Sequence, residues 1–324
     1  MREGKFIDKN IDRWKTYQQD TNNADEQANR FAHLIDDLGY AKTFYPQSKT
    51  TQFINGIAAK QFQSIYQNKK RDFSRFKNFW KYELPLLFVK HQKIFIFTFA
   101  FFTFFVILGA VATKYDKSIL TNILSEEYVE MTEENIEKGD PFGVYKGQNE
   151  FGMFVKIAAN NIRVAMITFI TGLLAGLGTL YTLFTNALML GSFQYFFFSK
   201  GLGWASVLVV WIHGTFEISA IVIAGVGGLV LGNSFLFPGT FNRIDSLRKG
   251  AKEAVKILIA TLPFFAVAAF LEGYVTRNTG MPIWLSVGIL LVSAFIIIWY
   301  FIVYPILLQR SGLRLEKGKI IFPL

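Results

Sequence analysis

The sequence predicts an all-α, polytopic membrane protein. About six membrane segments, one of them short or re-entrant, are expected to follow an N-terminal cytoplasmic helical domain. Three observations predict this. Leu202 to Leu231 is a long, nearly unbroken apolar run, further runs of span length lie on both sides of it, and charge is concentrated in the segments between them. Hydrophobic residues make up 52% of the 324, with 35 Phe, so a soluble part and several spans both fit. Cysteine is absent, which excludes disulfides, thiol catalysis and thiolate metal sites. The start, MREGKFIDKNIDRW, lacks the short apolar core of a cleavable signal, so the first membrane segment is expected to direct insertion.

Residues 1–92 carry sixteen Lys or Arg against ten Asp or Glu, a balance of +6. Phe6, Ile7, Ile11 and Trp14 recur at helical spacing, as do Ala28, Phe31, Leu34, Ile35 and Leu38, with Gly39 as the expected stop. A third pattern runs from Thr50 through Phe53, Ile57, Ala58, Phe62, Ile65 and Tyr66, set off by Pro46. These patterns predict a small helical bundle at the membrane face.

The first span is expected within residues 93–112, where Ile94 to Ala112 is Phe-rich and uncharged. The loop that follows is assigned to 113–156. Residues 113–151 hold four Lys and nine acidic side chains, net −5. Basic residues gather on the cytoplasmic side, so the N-terminal domain is placed inside and this acidic loop outside. A membrane bundle is assigned to 157–308. Its second span is expected over Val164 to Phe184, with Gly172 and Gly176 four apart as a helix-packing pair.

Asn186 to Ser199 is short for a crossing, and the run from Trp204 past Gly232 is long for one. Residues 187–235 therefore read as two crossings or as a re-entrant hairpin plus a span. Residues 239–256 hold five basic and two acidic groups and read as a cytoplasmic amphipathic helix along the interface. Spans at Ile257 to Leu271 and Ile283 to Leu308 enclose a short outer loop with Glu272 and Arg277. The basic tail, 309–324, is placed inside. Both termini inside require an even number of crossings.

Ionisable groups within apolar runs are costly and are usually paired or functional. His213 and Glu217, in WIHGTFEIS, are four apart and share a helix face beside Gly214. Asn160, Asn161 and Arg163 sit at the outer start of the second span and Glu272 at the outer end of the fifth, so Arg163 would meet Glu272 if those helices pack together. Asn186 completes the polar candidates, and Gly225, Gly228 and Gly232 the packing glycines. The plainest reading makes the polar groups interhelical ties. The sharper readings are a proton or ion relay through His213 and Glu217, or a site for a lipid or a partner helix.

Other chemistry finds little support. The chain has only His33, His91 and His213 and no HExxH, so no metal site is expected. No cofactor motif, GxxxxGK[ST] loop or GxSxG is present, so no enzymatic activity is expected. Positive charge is explained by topology and anionic lipid rather than by nucleic acid.

Several segments, in order, resemble the stage II sporulation protein M family, also called the DUF95 family. They are FIDKNIDRW, LGYAKTFYP, FINGIAA, SIYQNKK, FWKYELPLLF, NNIRVA, TNALMLGSF, HGTFEISAIVIAGVGGLVLG, PGTFNRIDSLRKGAKEAVK and AAFLEGYVT. The resemblance implies a multi-pass protein of the bacterial cytoplasmic (inner) membrane, acting as a non-enzymatic scaffold in a cell-envelope complex. It implies protein partners such as a MoxR-type AAA ATPase, an RDD-family membrane protein or cell-wall factors. Apart from the resemblance, membrane lipid is an expected partner and homo-oligomerisation is left open. A transporter or permease-like role for the buried pair is the alternative.

Overall fold

The computed structural model describes the chain except residues 20, 22, 68–72, 144–149, 277–279, 317–318 and 322–324. It divides into two compact units, Met1–Lys77 and Asn78–Leu324. The division precedes the expected boundary at 92 because residues 78–90 pack with the membrane helices.

The first unit consists of α1 (Glu3–Tyr17), α2 (Ala24–Phe44) and α3 (Lys49–Gln67). Phe6 and Trp14 of α1 meet Leu34, Leu38 and Ala41 of α2 and Ile54, Ile57 and Ala58 of α3 in one core. These are the periodic apolar positions, and burying them is what joins three otherwise polar helices. The Asp37 carboxylate accepts from Arg13 at 2.6 Å and from Trp14 Nε1 at 2.8 Å. Gly39 does not end α2, which continues to Phe44, where the turn containing Pro46 stops it.

The second unit opens with α4 (Phe73–Asn78), whose last residue belongs to it, then a π turn (Phe79–Glu83) and α5 (Leu84–Lys90). It continues with α6 (Gln92–Tyr115), α7 (Ser118–Leu124), α8 (Glu126–Glu137) and α9 (Glu150–Ile170). There follow α10 (Leu177–Ser199), α11 (Gly203–Leu236) and α12 (Arg243–Phe270), the last extended by a π turn (Leu271–Thr276). The unit closes with α13 (Ile283–Ile298), α14 (Tyr304–Arg310) and a hairpin of β1 (Arg314–Glu316) and β2 (Lys319–Ile321).

Among the described residues, five helical stretches are long and apolar enough to cross a membrane: Gln92–Tyr115, Phe151–Leu173, Gly203–Leu236, Arg243–Thr276 and Ile283–Arg310. The 23-residue α10 is as long as the shortest of these. It lies parallel to α6, pairing Phe105 with Phe184, Gly109 with Leu188 and Thr113 with Ser192 at a constant offset. If α6 crosses, α10 crosses in the same direction, making six traversals. Their even number returns the chain to its starting side, where α14 packs on α5 through Leu86 and Leu308. Lys90 and His91 both reach Glu253 at that end, and Lys256 pairs with Glu83.

Two segments differ from the sequence expectation. The apolar run Val164–Phe184 is not one span. It is broken at Leu174–Gly176, where Ala175 and Gly176 adopt positive φ of 55° and 82°, and the chain reverses. Gly172 and Gly176 therefore flank a turn instead of lining one helix. The residues after it complete α10, so the short run 186–199 becomes part of a full-length helix. The amphipathic segment 239–256 is not a separate interfacial helix. It is the first half of α12, held by Gly250 and Ala254 against Ser234 and Gly227 of α11.

α11 and α12 form the centre of the unit, while α6 and α13 are peripheral and present Phe97, Phe99, Phe104, Leu291 and Phe295 outward. In a bilayer these side chains meet lipid, which accounts for the Phe-rich composition. The glycines set helix separation. Gly232 lies against Gly176 and Gly172, Gly228 against Thr168 and Thr179, and Gly225 against Leu183. A side chain at any of them would strike the neighbouring helix, so the run Gly225, Gly228 and Gly232 is spent on internal packing.

Candidate functional site

His213 and Glu217 lie one turn apart on α11, as the i, i+4 spacing requires. His213 is 4% exposed. Its Nδ1 lies 3.0 Å from Thr276 Oγ1, and its Nε2 is 3.8 Å from Glu272 Oε2, beyond hydrogen-bond length. Glu272 and Thr276 come from the π turn that ends α12. A wider turn rotates side chains relative to an α-helix, and such turns recur at functional sites. One ligand-type atom each from His213, Glu217 and Glu272 lie within 4.8 Å of one another.

Asn161 of α9 forms the fourth wall. It is 3% exposed and its amide interacts with the Glu217 carboxylate, although Nδ2 falls short of full hydrogen-bond geometry. The neighbouring Asn160 and Arg163 are exposed. Arg163 thus does not pair with Glu272, whose carboxylate faces His213, because the helical period that turns Asn161 inward turns Arg163 out.

The remaining candidates have other places. Asn186 donates to the Thr182 carbonyl of its own helix at 2.8 Å. Gly214 has open space around its Cα, so no close approach explains it.

The acidic segment between α6 and α9 covers this end of the unit. Val129 and Ile136 of α8 pack with Phe196 and Phe197 of α10 and with Val209 and Val210 of α11, and Lys200 pairs with Glu133 at 2.5 Å. Burial raises the pKa of the Tyr128 phenol above its usual range, and the nearby Glu272 adds to the effect. Sequence reasoning missed Thr276 and Tyr128, because neither stands at a recognisable spacing from His213.

A separate cleft of about 730 Å³ opens between α6, α11 and α13, lined by Phe95, Phe99, Phe102, Trp211, Ser219 and Phe301 among others. Neither His213 nor Glu217 lines it.

Comparison with known proteins agrees with this architecture. The Stage II sporulation protein M family matches residues 98–277, from α6 through the π turn that carries Glu272. A domain of unknown function (DUF8413) matches residues 4–67, the three-helix unit. The uncharacterized protein MJ0706 of Methanocaldococcus jannaschii is 25% identical over 132 residues, 40% of this chain. The chain thus spans 58% of that protein's length. No solved structure matches. Since the family match covers more than half of the chain and takes in its helical membrane unit, the protein is a member of the Stage II sporulation protein M family.

Proposed function

We propose that the protein is a non-enzymatic scaffold that recruits partners to a bacterial envelope complex in the cytoplasmic membrane, with both termini cytoplasmic. The observation that carries this reading is the docked outer loop. α8 is fixed to α10 and α11 by an apolar seam and the Lys200–Glu133 pair, and it leaves Glu126, Glu127, Glu130, Glu134 and Glu137 exposed. An ordered acidic surface of this kind favours a basic partner and steers its approach. The burial of His213 and its absence from the cleft lining support a packing role over a water-filled transport path. The three-helix unit offers a second docking module, and an intracellular ATPase of the MoxR type, an RDD-family membrane protein or cell-wall factors are the partners that family resemblance suggests.

A transport role is the second reading, favoured by three titratable groups gathered beneath the outer loop. Purification of the full chain in mild detergent, with bound proteins identified by mass spectrometry, separates the two. Recovery of an ATPase or cell-wall factor with wild type supports the scaffold. Its loss from a folded His213→Ala/Glu217→Gln variant makes the buried group a docking determinant. Solute or proton movement in proteoliposomes without any co-purifying partner would replace the scaffold with a transporter.

A further inference from the structure

We infer that His213, Glu217 and Glu272 form a binding site for one divalent transition-metal ion of the zinc or manganese class, with Asn161 beside it. The inference is independent of the scaffold reading. Two carboxylates and an imidazole converge from α11 and the end of α12, with ligand atoms within 4.8 Å of one another. Two atoms bound to one such ion at ~2.1 Å in tetrahedral geometry are about 3.4 Å apart, so binding draws the widest pair inward by up to about 1.4 Å, within the reach of carboxylate side-chain rotation.

The surroundings suit a cation. When Nδ1–H donates to the Thr276 hydroxyl, the imidazole presents the Nε2 lone pair to the carboxylates, and such an outer hydrogen bond is what orients a metal-bound histidine. Without a cation or a proton between them, the Nε2 lone pair and the Glu272 carboxylate oppose each other at 3.8 Å. Two carboxylates in an apolar bundle are costly when ionised, and one divalent ion neutralises both. Asn161, buried beside Glu217 with its Nδ2 short of full hydrogen-bond geometry, adds a polar side chain to the cluster. Rotation of that amide by half a turn exchanges Nδ2 for Oδ1 and offers a third oxygen as the fourth ligand atom. A nitrogen ligand selects a first-row transition ion over magnesium or calcium.

Elemental analysis of the full chain, purified in detergent without chelator, tests the site. About one zinc or manganese per chain is expected, falling at least tenfold in Glu217→Gln and Glu272→Gln and persisting in Glu130→Gln, an exposed carboxylate on α8. The wild-type protein alone provides a second readout. After chelation its melting temperature should drop, and added zinc or manganese should restore it. Wild type with less than about 0.1 metal per chain and no response to either ion would overturn the inference. Retention of metal by both glutamine variants would overturn it equally.

Discussion

Two glycines of the membrane unit should respond in opposite ways to the same added methyl group. At Gly172 a Cβ would lie 2.8 Å from the Gly228 Cα and 2.7 Å from its carbonyl carbon, backbone atoms that cannot rotate aside. The Gly228 carbonyl oxygen lies closer still, so restoring ordinary contact at about 3.4 Å requires the two segments to part by about 1 Å. A gap of that size forfeits a quarter or more of the dispersion energy of every atom pair across the seam. Overpacking of this kind costs about 1–3 kcal/mol. At Gly214 a Cβ meets nothing within 4 Å, and alanine in a helix interior is favoured over glycine by up to ~1 kcal/mol. We expect Gly172→Ala to be less stable than Gly214→Ala by about 2 kcal/mol, or ~4–8 °C in melting temperature. Survival of the monodisperse peak on size exclusion after heating, with both variants in the same detergent, provides the measurement. Equal stability, or a more stable Gly172→Ala, would refute the close approach of the α9 end to α11.

Further expectations concern other parts of the chain. In the first unit, Asp37→Asn weakens the contacts to Arg13 and Trp14 and should cost about 1–3 kcal/mol, seen as earlier cleavage of residues 1–77 in thermal proteolysis of the full chain. Lys200→Ala removes a half-exposed ion pair and should cost no more than ~1 kcal/mol; faster proteolysis near α8 with an unchanged melt is the expected pattern. Because the native chain has no cysteine, single cysteines at Glu130 and Thr240 can be labelled with an impermeant reagent. They should react from opposite sides of the membrane, and reaction from one side would exclude the six-traversal path.

The fold class was legible because long apolar runs and the charge between them report directly on burial in lipid. The reversal at Leu174–Gly176 was not, since Val164 to Phe184 is continuously apolar, without charge or proline. One residue that makes the turn, Ala175, has no sequence preference for positive φ. The site was legible in half. His213 and Glu217 announce themselves by helical spacing. Glu272, 55 positions beyond Glu217, is directed by a π turn whose geometry no residue pattern in LEGYVT specifies. Pairing it with Arg163 relied on opposite charge at a shared expected depth, whereas the orientation of α9 turns Asn161 toward Glu217 instead.

The parallel pairing of α6 with α10 has a consequence for synthesis. Thr113 waits for Ser192, which lies 79 residues later, so at 5–20 residues per second the first membrane helix stands without its partner for about 4–16 s. During that interval Gly109 and the phenylalanines around it face lipid or the insertion machinery. The α6–α10 pair assembles only after the acidic loop has been synthesised and α9 has returned. A lesion that delays α10 should therefore leave an inserted but unassembled α6, open to membrane proteases, even where the finished protein would tolerate the same change.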